Sequence, residues 1–454
     1  MSAARAPQKL RLAEIVSALS YALDMTDGQP AGHSIRCCWI GMHIGKAVGM
    51  GQAELSDLFY TLLLKDLGCS SNAARICELF VTSDYEFKRN AKLIDNDSLA
   101  QVLRFVVSNT AVKSGLAERL RGVLNVAMKG GRIDREIIKT RCERGADIAR
   151  QMRFSDTVAQ GILDLDEHWN GGGHPMGLKG EAISMLARIA LLAQVTDVFA
   201  MTSGPAAAVD EIVRRSGRWF DPVLVMAFDS VADDEQFWSA LSDPNLAARV
   251  FRLEPRHLMR SVDEDYLDDI AEGFAQVIDA KSPFTSGHSK RVALVTDLIA
   301  EELHLAPDRK RWLVRAALLH DLGKLGVSNE ILDKPGKLDP AEWEIVRRHP
   351  GWGAEILSRM AAFSDLAKIA REHHERPDGR GYPQQLGGDA IDLETRIVTT
   401  ADVFDALTAD RPYRKAMSAG EALGVMRADL DTGIDARCLA ALERSLDRLQ
   451  LAAA

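Results

Sequence analysis

An internal duplication constrains the fold of this chain more than any other feature of its sequence. Two pairs of segments match at an offset of 255 residues, ALDMTDGQPAGHS (22–34) with VIDAKSPFTSGHS (277–289) and LLLKDLG (62–68) with ALLHDLG (317–323). Both copies therefore keep the same His-to-Asp spacing, from His33 to Asp66 and from His288 to Asp321. Matches that recur in the same order indicate two homologous domains in tandem.

The repeat continues further along the chain with a smaller offset. GADIARQM (145–152) matches GAEILSRM (353–360) at 208, and TDVFAM (196–201) is placed on ADVFDA (401–406) at 205, which pairs Asp197 with Asp402. The first copy therefore contains about 47 extra residues after Cys69. We predict a degenerate first domain over 8–230, a packed connecting segment over 231–262 and a second domain over 263–448.

The predicted fold class is all-α. Apolar residues at Val292, Val295, Ile299 and Leu303 recur at helical spacing, and alternation typical of strands is absent from the sequence. DPAEWEIVRR (339–348) begins with an Asp, a Pro at the first helical position and a Glu three residues after the Asp, which is a helix-start pattern. Two tandem helical domains are therefore expected.

Charge and hydropathy exclude several classes of protein. With 65 acidic and 56 basic residues the net charge is −9, which argues against a dedicated nucleic-acid-binding protein. Lys9 and Arg11 precede any long apolar run, so no signal peptide is predicted. The most apolar stretch, 184–201, contains Arg188 and Asp197 and is predicted to be a buried helix. We expect a cytoplasmic protein without a nucleic-acid or membrane partner.

The second copy concentrates side chains suited to metal chemistry. His320 and Asp321 are adjacent, His373 and His374 are adjacent, and an acidic segment follows at 401–407. Imidazole and carboxylate together suit first-row divalent ions, and one Asp can bridge two ions through its two oxygens. Two such ions about 4 Å apart can clamp a phosphate. These residues therefore predict a phosphohydrolase site.

Three runs in this copy resemble a known family. HDLGK (320–324), HHERPDGRGYP (373–383) and ADVFDALTADRPYR (401–414) are similar to the signature of the HD-GYP family, a branch of the HD-domain metal phosphohydrolases. The resemblance covers 263–448. It implies a helical fold, two or three metal ions, usually iron or manganese, and hydrolysis of a cyclic dinucleotide, chiefly cyclic di-GMP.

The resemblance also implies roles for individual residues. The implied metal ligands are His288, His320, Asp321, His349, His373, His374 and Asp402, with Asp321 bridging the metals and His374 either a further ligand or close to the phosphate. The implied catalytic residues are Asp321 and Lys324, and the implied substrate-binding residues are Lys324, Asp378, Gly379, Tyr382, Arg411 and Arg414. Asp405 is expected to brace the site, and Arg347 and Arg348 to be solvated surface residues.

One departure bears on the number of metals. Members with three metals have a Glu four residues before the first histidine, where this chain has Phe284. A phenylalanine cannot ligate a metal. We therefore expect two divalent ions, iron or manganese.

The first copy is predicted to have lost the site. His33, Asp66 and Asp197 remain, but Lys65 replaces His320, Arg141 replaces His349, and Leu165 and Asp166 replace His373 and His374. Lys65 would place positive charge where a metal should lie. Dimerisation to a homodimer, regulation and ligand sensing are the roles that the sequence leaves open for this copy.

The functional prediction is a metal-dependent phosphodiesterase acting on cyclic di-GMP, giving the linear dinucleotide, GMP or both. Two alternatives stay open. One is a weakly or non-catalytic module that binds a protein signalling partner, and the other is a phosphohydrolase for another nucleotide such as cyclic GMP-AMP.

Overall fold

The computed structural model describes residues 12–80, 82–95, 98–110, 135–255, 262–412 and 414–452. Within these ranges the chain forms α-helices, short 3-10 turns and four isolated β-bridges, but no β-strand. The predicted all-α fold class is confirmed. The chain divides into two compact units, Met1–Tyr266 and Leu267–Ala454.

The first unit begins with helices α1 to α3, which contain the N-terminal part of the repeat. Its helices are α1 (Leu12–Thr26), α2 (His33–Ala47), α3 (Gln52–Leu64), α4 (Ala73–Phe80), α5 (Asp84–Ala91), α6 (Leu99–Asn109), a helical segment α7 over 135–151, α8 (Asp156–Leu163), α9 (Met185–Ser203), α10 (Pro205–Arg214), α11 (Pro222–Ala232), α12 (Glu235–Ala240) and α13 (Leu246–Phe251). Helices α4 to α6 lie in the stretch by which the first copy is longer. They form a small apolar cluster of their own around Ile76, Phe80 and Val106.

The second unit repeats this plan without the extra helices. Its helices are α14 (Glu264–Asp279, which begins at the unit boundary), α15 (His288–Glu302), α16 (Pro307–Leu319), α17 (Asn329–Leu332), α18 (Pro340–Val346), α19 (His349–Ser358), α20 (Ala367–Glu372), α21 (Leu393–Thr408), α22 (Ala419–Ala428) and α23 (Ala436–Ala452). Helix α18 begins where the sequence predicts it, because the Asp339 carboxylate accepts from the backbone of Glu342 and the Glu342 carboxylate accepts from that of Asp339. Helices α15 and α21 pack side by side in the core of this unit.

Helix α9 has the length and apolar composition of a membrane span, and it is the one helix in the described part of the chain that does. Two thirds of its apolar window, 67%, is buried inside the protein. Gln194 and Asp197 on this helix are buried and hydrogen-bonded within the first unit. These features are typical of the central helix of a helical domain.

The segment predicted to connect the two domains, 231–262, lies within the first unit as far as the structure describes it. The indole nitrogen of Trp39 donates to the carbonyl of Phe237 at 3.2 Å, and the Tyr60 hydroxyl donates to Glu254 at 2.6 Å. Phe237 and Leu246 are buried. This stretch therefore packs on α2 and α3 of the first unit. The predicted domain limits themselves stay predictions.

Candidate metal centre

The predicted ligands of the second unit come together at helix ends. His288 is the first residue of α15 and His349 is the first of α19, whereas His320 directly follows α16 and His373 directly follows α20. Asp402 lies in the middle of α21. Helix ends allow side chains from four separate segments to converge on one point. All these ligands are buried.

Three of the histidines are oriented by the same local device. The Nδ1 atom of His320 lies 2.7 Å from the carbonyl oxygen of Ala317, and His349 and His373 make the same bond to the carbonyl three residues earlier, at 2.7 and 2.8 Å. A carbonyl oxygen can only accept, so Nδ1 holds the proton and the lone pair is on Nε2. That is the tautomer in which imidazole ligates a metal through Nε2.

Asp321 lies at the centre of the histidines, and its two oxygens face different pairs. Oδ2 lies 3.3 Å from Nε2 of His288 and 3.4 Å from that of His320. Oδ1 lies 3.4 Å from Nε2 of His349 and 3.7 Å from that of His373. A carboxylate in this position can give one oxygen to each of two neighbouring ions.

Two further ligands lie beside these pairs of histidines, Asp402 beside His288 and His320, and His374 beside His349 and His373. Oδ1 of Asp402 lies 3.4 Å from Nε2 of His288 and 3.9 Å from that of His320. The ring of His374 lies 4.1 Å from that of His373, and ligand atoms of His374, His373, His349 and Asp321 all lie within 4.8 Å of one another. The first half therefore has two histidines and Asp402, and the second half three histidines, with Asp321 common to both.

The donor atoms fit divalent metal ions. Nε2 of His288, Nε2 of His320 and Oδ1 of Asp321 are buried without a hydrogen-bond partner in the described chain. Buried polar atoms are usually paired, and these three belong to side chains whose ligand atoms lie within 4.8 Å of one another. Nitrogen and oxygen donors without a thiolate suit iron, manganese and similar ions rather than structural zinc.

The pKa shifts divide the centre into the same two halves. Burial disfavours protonation of His288 and His320, but the carboxylates around them outweigh it, raising the pKa of His288 to about 9 and that of His320 above its usual value. Burial lowers the pKa of His349 and His374, and it lowers that of His373 to about 4. The second half therefore holds its imidazoles neutral, which is their ligating form.

Asp405 is a further residue of the site, one turn after Asp402. Its Oδ2 atom lies 2.7 Å from Nδ1 of His288, and its carboxylate accepts from Nε and Nη2 of Arg291 at 2.5 and 3.1 Å. The bracing role expected for Asp405 thus has a defined partner, whereas the part played by Arg291 was not predicted. Its signal in the sequence was the matching Arg36 of the first copy.

The basic residues predicted to contact substrate are placed differently from one another. Lys324 donates to Oδ2 of Asp321 and lies at the centre. The Arg414 guanidinium donates to the carbonyls of Ala406, Leu407 and Lys415, so it closes the C-terminal end of α21. The Arg411 guanidinium has no acceptor in the part of the chain that the structure describes. The substrate-binding role of all three stays a prediction.

The GYP loop is held by contacts within itself. The Asp378 carboxylate accepts from the backbone of Arg380 at 2.9 Å, and Gly379 has a left-handed φ of +73°. A Cβ on Gly381 would lie 2.5 Å from the Cα of Glu375, so only glycine fits there. Of the predicted loop residues, Tyr382 reaches the centre.

Two further contacts connect this loop to its surroundings, one made by Tyr382 and one by Glu375. The Tyr382 ring is stacked on that of His374, with 4.8 Å between centroids and 28° between planes. Buried Glu375, which sequence reasoning missed, accepts from the loop nitrogens of Gln384 and Leu386 at 2.6 and 2.9 Å. Its signal was Glu167 at the same offset of 208, which accepts from the matching loop of the first unit.

The first unit shows that one sequence match was wrong. Oδ2 of Asp197 lies 2.6 Å from Nδ1 of His33, and its carboxylate also accepts from Arg36. These are the contacts that Asp405 makes in the second unit. Asp197 is therefore the counterpart of Asp405 at an offset of 208, not of Asp402, and the helices α9 and α21 begin at this same offset.

The counterpart of Asp402 is Gln194, and the ammonium of Lys65 lies among the remaining ligand positions. Its Nζ atom is 3.1 Å from Nε2 of His33 and 3.1 Å from Oε1 of Gln194, and it pairs with Asp66. All of these groups are buried. The buried ammonium of Lys65 thus lies at the position that corresponds to the first half of the candidate metal centre, as the sequence predicted.

The rest of the former site is also filled. Lys92, which follows α5 in the longer stretch, pairs with Asp27 and lies 3.4 Å from Oε1 of Gln194. Arg141 forms an ion pair with Asp166 at the positions of His349 and His374. Ammonium and guanidinium groups of the chain itself therefore neutralise the carboxylates of this unit.

Comparison with known proteins agrees with these observations. The model of the HD domain family matches residues 114–224 and 272–438. The 3'3'-cGAMP-specific phosphodiesterase 3 of Vibrio cholerae is 52% identical over 96% of this chain and 95% of its own length. The cyclic di-GMP phosphodiesterase response regulator RpfG of Xanthomonas campestris is 41% identical over 44% of this chain and 54% of its own.

A solved structure is similar over nearly the whole chain. It is the crystal structure of the V. cholerae cyclic GMP-AMP-specific phosphodiesterase V-cGAP3, with a TM-score of 0.65 and 48% identity over 97% of this chain and 98% of that one.

Proposed function

The chain belongs to the HD domain family, and we propose that it is a metal-dependent phosphodiesterase that hydrolyses 3'3'-cyclic GMP-AMP. Membership of this family supports a divalent-metal phosphohydrolase, and the relatives named as phosphodiesterases support a cyclic dinucleotide as the substrate. The sequence ranked cyclic di-GMP first and cyclic GMP-AMP as an alternative. Similarity to the V. cholerae enzyme over almost the entire chain favours the alternative, because similarity to RpfG is limited to less than half of it.

The observation behind this proposal is the position of Asp321. Its two oxygens lie 3.3–3.7 Å from imidazole nitrogens on opposite sides. Two ions held by one shared carboxylate would be close enough to contact one phosphate group. Nε2 of His288, Nε2 of His320 and Oδ1 of Asp321 are also buried without a hydrogen-bond partner in the described chain, and bound ions would satisfy them.

The residues that would hold the metals follow from the two halves described above. One ion would be held by His288, His320 and Asp402, the other by His349, His373 and His374, and both by Asp321. Bound divalent ions supply Lewis acidity toward the phosphate and activation of water. We infer two ions rather than three, since Phe284 offers no ligand, and iron or manganese as their identity.

The chain's own groups provide orientation and charge. Lys324 would contact the scissile phosphate and stabilise the negative charge that increases on its oxygens, since its ammonium already lies at the centre. Tyr382 would fix the plane of His374 by stacking. Water would be added across one phosphodiester bond, which opens the ring and gives a linear dinucleotide.

The experiment is hydrolysis of 3'3'-cyclic GMP-AMP and of cyclic di-GMP by anaerobically purified protein loaded with iron or manganese. Products are separated by chromatography, and an Asp321→Asn variant serves as the inactive control. Faster conversion of cyclic GMP-AMP is expected. Preference for cyclic di-GMP would overturn the substrate, and binding without turnover by protein that contains two metals per chain would favour a binding module.

Localisation and partners follow from this proposal. We infer a cytoplasmic enzyme, because cyclic dinucleotides are intracellular messengers and α9 is largely buried inside the protein. The sequence left a homodimer and a protein signalling partner open, and both stay predictions. Size-exclusion chromatography with light scattering tests the first of them.

A further inference from the structure

A row of neighbouring ring and guanidinium groups leads outward from the second half of the candidate metal centre. The ring centroids of His349 and His374 are 5.0 Å apart, and that of His374 is 4.8 Å from that of Tyr382. The guanidinium carbon of Arg347 lies 5.7 Å from the Tyr382 centroid and 5.8 Å from the Trp343 centroid. The Arg347 guanidinium therefore lies near two aromatic rings, that of Tyr382 at the centre and that of Trp343 at the surface.

The outer two members of this row are free to bind a ligand. Trp343 is 45% exposed, although an indole is among the side chains that gain most from burial. Arg347 is exposed, and its guanidinium has no hydrogen-bond acceptor or acidic partner in the described part of the chain. Its neighbour Arg348 differs, since it lies 3.8 Å from Glu344.

The local fold fixes where these two residues point. Helix α18 is closed at its start by reciprocal hydrogen bonds between Asp339 and Glu342, and Lys334 donates to the Glu342 carboxylate at 2.7 Å. Arg347 ends this helix, and the metal-side residue His349 follows two positions later. The free guanidinium is thus tied by a short, capped segment to the edge of the catalytic centre.

We propose that Trp343 and Arg347 form the binding surface for a purine base of the substrate. An exposed indole offers a face on which a base stacks, and stacking is favourable for every base. A guanidinium donates two parallel hydrogen bonds to O6 and N7 of guanine, whereas adenine presents an amino donor at the first of these positions. The surface therefore favours guanine. This inference rests on the proposed function, because the base must belong to a nucleotide whose phosphate reaches the metals.

The test compares the Arg347→Ala and Trp343→Ala variants with wild-type enzyme on two substrates. One is 3'3'-cyclic GMP-AMP, and the other is bis(p-nitrophenyl) phosphate, which is a phosphodiester without bases. In each variant the ratio of kcat/KM for the dinucleotide to that for the base-free ester should fall about 10- to 100-fold. The change should appear mainly in KM. Arg348→Ala serves as the matched control, because its guanidinium is already paired.

The possible failures are distinguishable. An unchanged ratio in both variants would overturn the proposed base surface. If kcat/KM then falls equally on both substrates, the substitution has disturbed the centre itself. Wild-type enzyme that cleaves the base-free ester but no cyclic dinucleotide would overturn the proposed function instead. Restoration of the ratio by Arg347→Lys would contradict the two-pronged contact with guanine, because an ammonium is a single point charge.

Discussion

The Nδ1 atom of His288 lies 2.7 Å from a carboxylate oxygen of Asp405, and an arginine holds the same carboxylate from its other side. The first unit contains the same arrangement, in which His33 lies 2.6 Å from Asp197. The bond fixes the tautomer of the imidazole and points Nε2 inward. In the second unit Nε2 faces the candidate metal centre, whereas in the first it faces the ammonium of Lys65.

Asp405→Asn should weaken metal binding without abolishing the fold. An amide cannot stabilise the Nδ1-protonated tautomer as a carboxylate does, and loss of such a partner typically costs 10- to 100-fold in metal affinity. Titration with a competing chelator measures this change directly. The matched variant Asp197→Asn should leave metal affinity as it is, and a comparable loss there would contradict the assignment of the first unit as metal-free.

Removal of single ligands should show two separable sites. His288→Ala is expected to lower the metal content by one ion per chain and His373→Ala likewise, because each belongs to one half. Asp321→Ala should lose both ions, since it is shared. Elemental analysis after equilibrium dialysis gives the counts, with circular dichroism to confirm folding. Loss of both ions in His288→Ala would show that the halves bind cooperatively and would contradict separable sites.

Arg411 and Arg414 should behave differently although they lie in one sequence run. Arg414→Ala removes hydrogen bonds to two carbonyls in the last turn of α21 and to that of Lys415, so we expect a loss of about 1–3 kcal/mol in the free energy of unfolding. Arg411→Ala should leave that free energy within about 0.5 kcal/mol of wild type and raise KM. Urea denaturation and steady-state kinetics separate the two. Equal effects of the two variants on KM would support the substrate contact that the sequence predicted for Arg414.

The sequence was sufficient to predict the fold class and the convergence of the ligands. The spacing at 292–303 and the helix-start pattern at 339–348 indicated helices that the structure contains, and the histidines implied by the resemblance lie at helix ends, where side chains from different helices meet. That Asp321 bridges two metals is implied only by the family resemblance, because spacing does not reveal which oxygen faces which imidazole. Its distances to four imidazole nitrogens required the structure.

The alignment of Asp197 was wrong and the ring contact of Arg347 was missed because sequence patterns do not show which side chains touch. Asp197 was aligned with Asp402 on three matching letters, but apolar residues in a buried helix are interchangeable and do not fix the register. The hydrogen bonds of Asp197 to His33 and Arg36 fix the register instead. Arg347 is exposed, as the sequence predicted, but the sequence does not show that its guanidinium lies over the Tyr382 ring.

Replacement of Lys65 tests whether a protein cation has taken the place of a metal. Lys65→Met leaves the Asp66 carboxylate buried without its ammonium, which should destabilise the first unit by about 3–5 kcal/mol. The double variant Lys65→Met/Asp66→Asn should recover most of this loss, because removal of both partners leaves no unpaired charge. Denaturant unfolding of wild type and of both variants measures these changes in the free energy of unfolding. The metal content of each variant should stay at the wild-type value. A gain of metal in Lys65→Met would show instead that the ammonium excludes an ion from a site that is otherwise intact.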